Sequence, residues 1–277
     1  VKMYLSSRAI VLTAVLACLV ISLGTSVVNA DITHRYSFDG NADDSIGTAH
    51  GTLINNTGLS TYSNGQLTLG NDGTQSSNGT NGDYVDLPNG IISANGGQAS
   101  YEFWLTWSDA NRRVWQEFMS FGTSRDGEDT SNNATNSTYL MLTPRSGDTT
   151  RLRAGYRYGP TANEQILDHS SSMPRNRQVH VVFVWDEQRG RTALYVDGQL
   201  SDEGQPNFSI STDLIDNNNW LGRSQWSDPL FVGSFNEVRI YNHALSTADV
   251  KATFDAGINN TPRSEERRVG KECRSRW

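Results

Sequence analysis

The sequence predicts an all-β protein, an antiparallel two-sheet β-sandwich closed by one short C-terminal helix. Three observations point there. Short runs rich in Val, Ile, Thr, Tyr, Phe and Trp recur along most of the chain. Clusters of Gly, Asn, Ser and Thr separate them, as turns separate strands. No helical period fills the gaps, so consecutive strands pair antiparallel rather than through the helical crossovers of a parallel sheet.

In order, the strand candidates are "HRYSF", "QLTL", "DYVDL", "ASYEFWLTW", "QEFMSF", "STYLMLT", "RLRAGYRY", "QVHVVFVW", "RTALYVDG" and "FNEVRIY". The loops at 70–82 and 122–137 are long, polar and free of Pro, the composition of a functional rim or a mobile segment. The helix begins at Ser246-Thr247-Ala248-Asp249, where Ser246 can accept the Asp249 amide while the Asp249 carboxyl reaches back. Val250 and Phe254 then share one face, and Gly257 is placed to stop the helix. There is no internal repeat and no interdomain linker.

The two ends read differently from the interior. Residues 1–30 have the make-up of a secretory signal: Lys2 and Arg8, a long apolar run, then Val28-Asn29-Ala30 as a cleavage site. A membrane anchor is the alternative, weakened by Ser22, Gly24, Thr25 and Ser26 in its second half. Residues 263–277, "RSEERRVGKECRSRW", match codon for codon the translation of a short-read sequencing adapter in reverse complement. They are read as an artefact with no structure of their own, which puts the working domain at 31–262.

That trimming changes the charge. The whole chain has 23 basic and 30 acidic residues. The leader holds 2 of the basic ones and the tail 6 basic and 3 acidic, leaving 15 basic and 27 acidic residues, a net charge of −12. Such a surface repels phosphate backbones, so nucleic acid is not an expected partner. Cys18 and Cys273 both fall in the excluded ends, so an exported domain must hold itself together by its core rather than by disulfides.

Several stretches now carry a resemblance. "HRYSFDGNADDSIGTAHGTL" is similar to the opening strand and acidic turn of the laminin-G-like, concanavalin A-like lectin/glucanase domains of secreted bacterial proteins. "YEFWLTW" looks like their central strand with one inward Trp, here Trp104. "VHVVFVWDEQRGRTALYVDGQL" is similar to their hairpin, and "WLGRSQWSDPLFVGSFNEVRIYNHALSTADV" to the closing strand and helix. The resemblance spans about residues 31 to 258 and implies a jelly-roll sandwich. Relatives include polysaccharide-binding modules, adhesion domains and glycosidases, so the fold leaves function open.

Catalysis by a retaining glycosidase needs two carboxyls about 5 Å apart, one of them kept protonated. Laminarinase-type relatives present them as Glu-x-Asp-x-x-Glu, and that pattern is absent. "SYEFWLTW" offers Glu102 alone, Asp186 and Glu187 adjoin in a turn, and Glu237 is placed to pair with Arg239 or to cap nearby amides. His180 reads as a strand residue rather than a base. No enzyme is expected.

Two binding features remain. "FDGNADDSIG" sets Asp39, Asn41, Asp43 and Asp44 in a tight Gly-containing loop, a pattern of hard oxygen ligands that suits a structural Ca²⁺. Asx-turn hydrogen bonding is the alternative. Asn236, which stands where many relatives carry Asp, and Glu237 are candidate partners from the closing strand. For sugar, the candidates are Trp226 in "GRSQWSDP", Tyr156 and Tyr158 on one strand with Arg151, Arg153 and Arg157 nearby, and Trp107 and Trp115 flanking a loop. Trp104 and Trp185 read as core. The expectation is a secreted, non-catalytic module that binds carbohydrate or another extracellular polymer, with an adhesive cell-surface protein and a divergent glycoside hydrolase as alternatives.

Overall fold

A computed structural model describes residues 32–78, 81–131, 137–160 and 162–258. The leader and the adapter-like tail lie outside the described residues.

The strands, in chain order, are β1 (Ile32–Tyr36), β2 (Thr52–Asn55), β3 (Thr61–Tyr62), β4 (Leu67–Thr68), β5 (Asp83–Leu87), β6 (Gln98–Trp107), β7 (Met119–Gly122), β8 (Tyr139–Thr143), β9 (Arg153–Arg157), β10 (Gln165–Asp168), β11 (Gln178–Asp186), β12 (Arg191–Val196), β13 (Gln199–Gly204), β14 (Asn218–Leu221) and β15 (Gly233–Tyr241). One α-helix follows, α1 (Thr247–Ala256). All ten runs singled out in the sequence are strands. β2, β3, β10, β13 and β14 are additions. They are short or lie at sheet edges, and a run with little apolar surface gives little periodic signal.

Two antiparallel sheets face each other. The first runs β13-β12-β11-β6-β15-β4-β3, with β1 also paired to β15, and the second runs β10-β9-β8-β7-β14-β5-β2. Strands distant in sequence are neighbours in both, as in a jelly roll. Between the sheets lies one apolar core. It takes Tyr101, Phe103, Leu105 and Trp107 from β6, Val181, Phe183 and Trp185 from β11, and Phe121, Leu140, Leu142, Ala154 and Tyr156 from the second sheet. The period of two along each strand drives this: alternate side chains enter the core, and those between face outward. Each large side chain so buried contributes about 1.5–3 kcal/mol by leaving water.

What faces outward is not all wet. On the outer side of the first sheet, Val182, Val184, Ala193, Tyr195 and Tyr241 pack with Leu245 and Val250 beneath α1. The helix is capped as its sequence indicates: Ser246 Oγ accepts from Asp249 N, and the Asp249 carboxylate accepts from Ser246 N at 3.0 Å. Gly257, with φ 74°, takes the left-handed turn that ends it. Trp104 belongs to this side. The expected inward Trp of β6 is therefore Trp107, while Trp104 stacks on Phe254 of the helix at 5.8 Å. The reason is parity. Odd-numbered residues of β6 point into the core and even-numbered ones away from it.

Candidate functional site

Outward residues of the second sheet build the site. Register across that sheet aligns Gly155 of β9, Met141 of β8, Ser120 of β7 and Trp220 of β14 in one row. Tyr139 and Met141 form an apolar patch on this face, against which Trp115 and Trp226 pack. A cavity of about 560 Å³ opens there, lined by Trp115, Glu117, Tyr139, Met141, Arg157, Glu164, Trp226, Ser227 and Asp228. Its size and its mix of aromatic and polar side chains suit a small ligand or a stretch of polymer.

Each wall has a local cause. Trp115 takes a left-handed backbone, φ 61°, uncommon for a bulky residue and a mark of a position held by its surroundings. Its amide donates to Arg145 O at 2.9 Å, and its ring lies over Gly147, where a Cβ would come within 2.3 Å of the indole nitrogen. The Arg153 guanidinium lies 5.6 Å from the same ring. Trp226 is fixed from the loops: its amide donates to Ser224 Oγ at 3.0 Å, and Ser131, from the long loop after β7, donates to the Trp226 carbonyl at 2.8 Å. The floor is open because Gly155 lacks a side chain. A Cβ there would meet Met141 Cε at 2.6 Å and Glu164 Oε1 at 3.1 Å.

Three carboxyls share the cavity. Burial pushes Glu117 well above the usual carboxyl range and the neighbouring Asp228 adds to the effect, against the Ser120 and Ser224 hydroxyls, which favour the anion. Glu117 is 2 % exposed and its Oε2 has no hydrogen-bond partner within the protein. Burial likewise raises Asp228, to about 6, against a hydrogen bond from Ser224 Oγ at 3.1 Å that favours the anion. Glu164 is raised by burial too, although Tyr139 Oη donates to its Oε1 at 2.8 Å. The three come from separate segments: the lead into β7, the lead into β10 and the loop between β14 and β15.

Against the sequence expectations, the structure divides the sugar candidates. Trp226 lines the cavity, as does Trp115. Trp107 does not: it is a core residue whose Nε1 donates to Gln116 Oε1 at 2.8 Å. Tyr156 is also core, 1 % exposed, with its hydroxyl donating to Gln205 O. The parity of β9 sends Ala154 and Tyr156 inward and Arg153, Gly155 and Arg157 outward. Arg153 is outward but nearly buried, locked by Asp168 at 2.7 Å and Asp148 at 3.0 Å. Tyr158 is 45 % exposed and stacks on Phe208, away from the cavity lining.

The acidic turn at 39–44 does not make a cage. Asp44 Oδ1 accepts from the amides of Arg35, Ile46 and Gly47, and Oδ2 pairs with His34 Nδ1 at 2.7 Å and accepts from Ala49 N. Burial raises this carboxyl, but those donors together hold it below its ordinary value. Asn41 and Asp43 bond to each other as an Asx turn, with Asp43 N donating to Asn41 Oδ1 at 3.1 Å, and Asp39 stays at the exposed surface. Asn236 is the extra residue of a β-bulge, between Phe235 paired with Leu105 and Glu237 paired with Trp104. Among the described residues there is no group of three or more His, Cys, Asp or Glu side chains placed to hold a metal ion. Both oxygens of Asp44, the buried carboxylate of the turn, already accept from protein donors, which leaves no ready cation cage there.

Sequence reasoning missed all three cavity carboxyls. In "QEFMSF", Phe118 and Met119 both enter the core, so alternation breaks just after Glu117 and parity misassigns it. Glu164 precedes an edge strand with little periodic signal, and Asp228 sits in a loop.

Among the described residues, no helix is long and apolar enough to cross a membrane. No curated protein sequence matches the chain. Solved structures do. Domain 4 of AbnA, a GH43 extracellular arabinanase from Geobacillus stearothermophilus solved in complex with arabinotriose, matches with a TM-score of 0.61 and 24 % identity, over 80 % of this chain and 98 % of that one. The receptor binding domain of botulinum neurotoxin mosaic serotype C/D matches with a TM-score of 0.56 and 18 % identity over 84 % of this chain. This chain spans about half (52 %) of that toxin domain. At these identities the likeness is one of fold. The sequence profile of the concanavalin A-like lectin/glucanases superfamily (Laminin_G_3) matches residues 78–251, from before β5 into α1, and the chain belongs to that family.

Proposed function

We propose that the protein is an exported module that binds a carbohydrate chain in the cavity between Trp115 and Trp226. The observation that carries this is the pairing of two indole faces with a polar floor. Pyranose rings stack on such faces, while Glu164, Asp228, Tyr139 and Arg157 offer hydrogen bonds to hydroxyls. The arabinotriose held by the AbnA domain supports the reading by analogy of fold. The signal-like leader supports export, which places the module outside the cell or at its surface. Polysaccharide pull-down and titration with soluble oligosaccharides, with and without chelator, test it. Binding lost in both Trp226→Ala and Trp115→Ala supports the site, and binding unchanged in both sinks it. Binding that fails only with chelator would restore a role for Ca²⁺ at the 39–44 turn.

One observation favours a second reading, a glycoside hydrolase: three carboxyls with raised proton affinity in a single cavity, as an acid catalyst requires. Release of reducing ends from a bound oligosaccharide, lost in Glu117→Gln, would establish it. Intact oligosaccharide after prolonged incubation leaves the binding module.

A further inference from the structure

The chemistry of the cavity goes beyond stacking. Its lining carries three carboxyls and one guanidinium, that of Arg157, which already donates to the Pro160 carbonyl at 2.8 Å. An acidic sugar entering there meets like charge. A neutral sugar meets more acceptors than its hydroxyls need, and Glu117 holds an oxygen that burial penalises and nothing in the protein satisfies. A site for neutral hydroxyls does not call for a nearly fully buried carboxyl. A site for a cation does. An ammonium brings three donors and a compensating charge, and the indole faces of Trp115 and Trp226 attract a cation through their π-systems.

We infer that the cavity selects an amino sugar, a glycan whose ring bears a free, protonated amine, seated between Trp115 and Trp226 with its ammonium against Glu117, Glu164 and Asp228. The inference rests on the carbohydrate reading and narrows it to a ligand class. Tyr139 and Ser224 fit the assignment. By donating to Glu164 and Asp228 at 2.8 and 3.1 Å, they hold those carboxyls in place and leave further lone pairs to accept from the ligand. A bound ammonium favours the ionised form of the carboxyls around it, so the proton balance of the cavity shifts on binding.

Isothermal titration of the full chain with three hexamers tests this: β-1,4-linked glucosamine, its fully N-acetylated counterpart and β-1,4-linked glucose. At about 0.15 M salt, where surface charge is largely screened, the glucosamine hexamer is expected to bind at least about tenfold more tightly than either neutral hexamer. Its heat should depend on the buffer's ionisation enthalpy and that of the neutral hexamers should not. Glu117→Gln, which keeps size and shape, should erase the preference for the glucosamine hexamer over the neutral ones. Asp228→Asn is the second variant, should Glu117→Gln perturb folding by circular dichroism. Neutral hexamers bound as tightly as the amino hexamer overturn the inference and leave the carbohydrate reading standing. Amino-hexamer binding that survives both Glu117→Gln and Trp226→Ala also overturns it, since that is attraction to an acidic surface. No hexamer bound at all, together with no polysaccharide captured, overturns both.

Discussion

The two outer faces of the sandwich each hold buried acid, and they treat it in opposite ways. On the first sheet, under α1, Glu102 sits at the centre of a closed network. It bonds His180 Nε2 at 2.8 Å, Arg239 at 3.2 Å and the Tyr241 hydroxyl at 2.6 Å, and Arg239 continues to Glu237 at 2.7 Å. Glu237 pairs in turn with Arg35 of β1, at the normal-range contact of 3.3 Å to Nη2. Burial raises Glu102, but the His180 hydrogen bond and the Arg239 charge outweigh it and hold the carboxyl down to about 2. On the second sheet, Glu117, Glu164 and Asp228 face one another with few donors, and burial wins. A buried carboxyl with full partners is a strut. Three that share a cavity with two tryptophans and keep an orphan oxygen wait for something outside the protein.

The sharpest way to break this comparison is to remove one acid from each face. Glu102→Ala strips Arg239 and His180 of their shared partner in a site with no water access and should cost about 3–5 kcal/mol of stability. Glu117→Gln replaces a carboxyl whose ionisation burial already opposes and should stay within about 1 kcal/mol of the parent. Urea denaturation of both decides, and equal losses would end the distinction between strut and site.

Next in size is the loss of binding. Trp226→Ala should weaken the best oligosaccharide ligand by at least about tenfold, a change of about 1.4 kcal/mol, with the thermal midpoint nearly unmoved because the indole packs at a rim rather than in the main core. Tyr156→Ala is the counterpart. It should lower the midpoint strongly, since large aromatic core truncations cost about 3–5 kcal/mol, and its effect on binding should follow only from unfolding.

Acid separates the faces more gently. Asp228, raised to about 6, binds its proton more tightly folded than unfolded, where a carboxyl titrates near 4. Its charged form is therefore a penalty at neutral pH that is relieved as pH falls through about 6, and Glu117 and Glu164 act in the same direction. Glu102 is held down to about 2 and Asp44 below its ordinary value, so what they contribute is present above the ordinary carboxyl range and is lost as pH falls through it, for Glu102 toward about 2. The thermal midpoint should accordingly rise slightly from pH 7 to 5 and drop below pH 4. A midpoint that falls steadily from pH 7 would contradict the raised carboxyls. The smallest expected effect is that of a chelator: with Asp44 already accepting from backbone amides and His34, EDTA should leave the midpoint within about 1 °C, a stability change of a few tenths of a kcal/mol or less.

How far the sequence carried the reading depends on what each residue answers to. The ten strands and the Ser246–Asp249 cap were legible because they are written in local patterns: alternation, β-branched content and a side chain able to reach an amide three residues on. His180 was legible as a strand residue, and Glu237 because a lone carboxylate among apolar neighbours must find a partner, as it does in Arg239. The binding site was only half legible. Trp226 stood out as an aromatic in a polar loop. Tyr156, Trp107 and Trp104 were placed on the wrong side because a register error of one residue reverses a strand's faces, and sequence alone does not set that register.

Composition, periodicity and capping thus determined the fold class and the helix, since these depend on interactions among near neighbours in the chain. The cavity was decided by tertiary structure alone. Glu117, Glu164 and Asp228 are strangers in sequence, brought together by the pairing of β7, β8 and β9 and by the loop that carries Trp226. Their unusual proton affinity arises only once that packing has removed them from water.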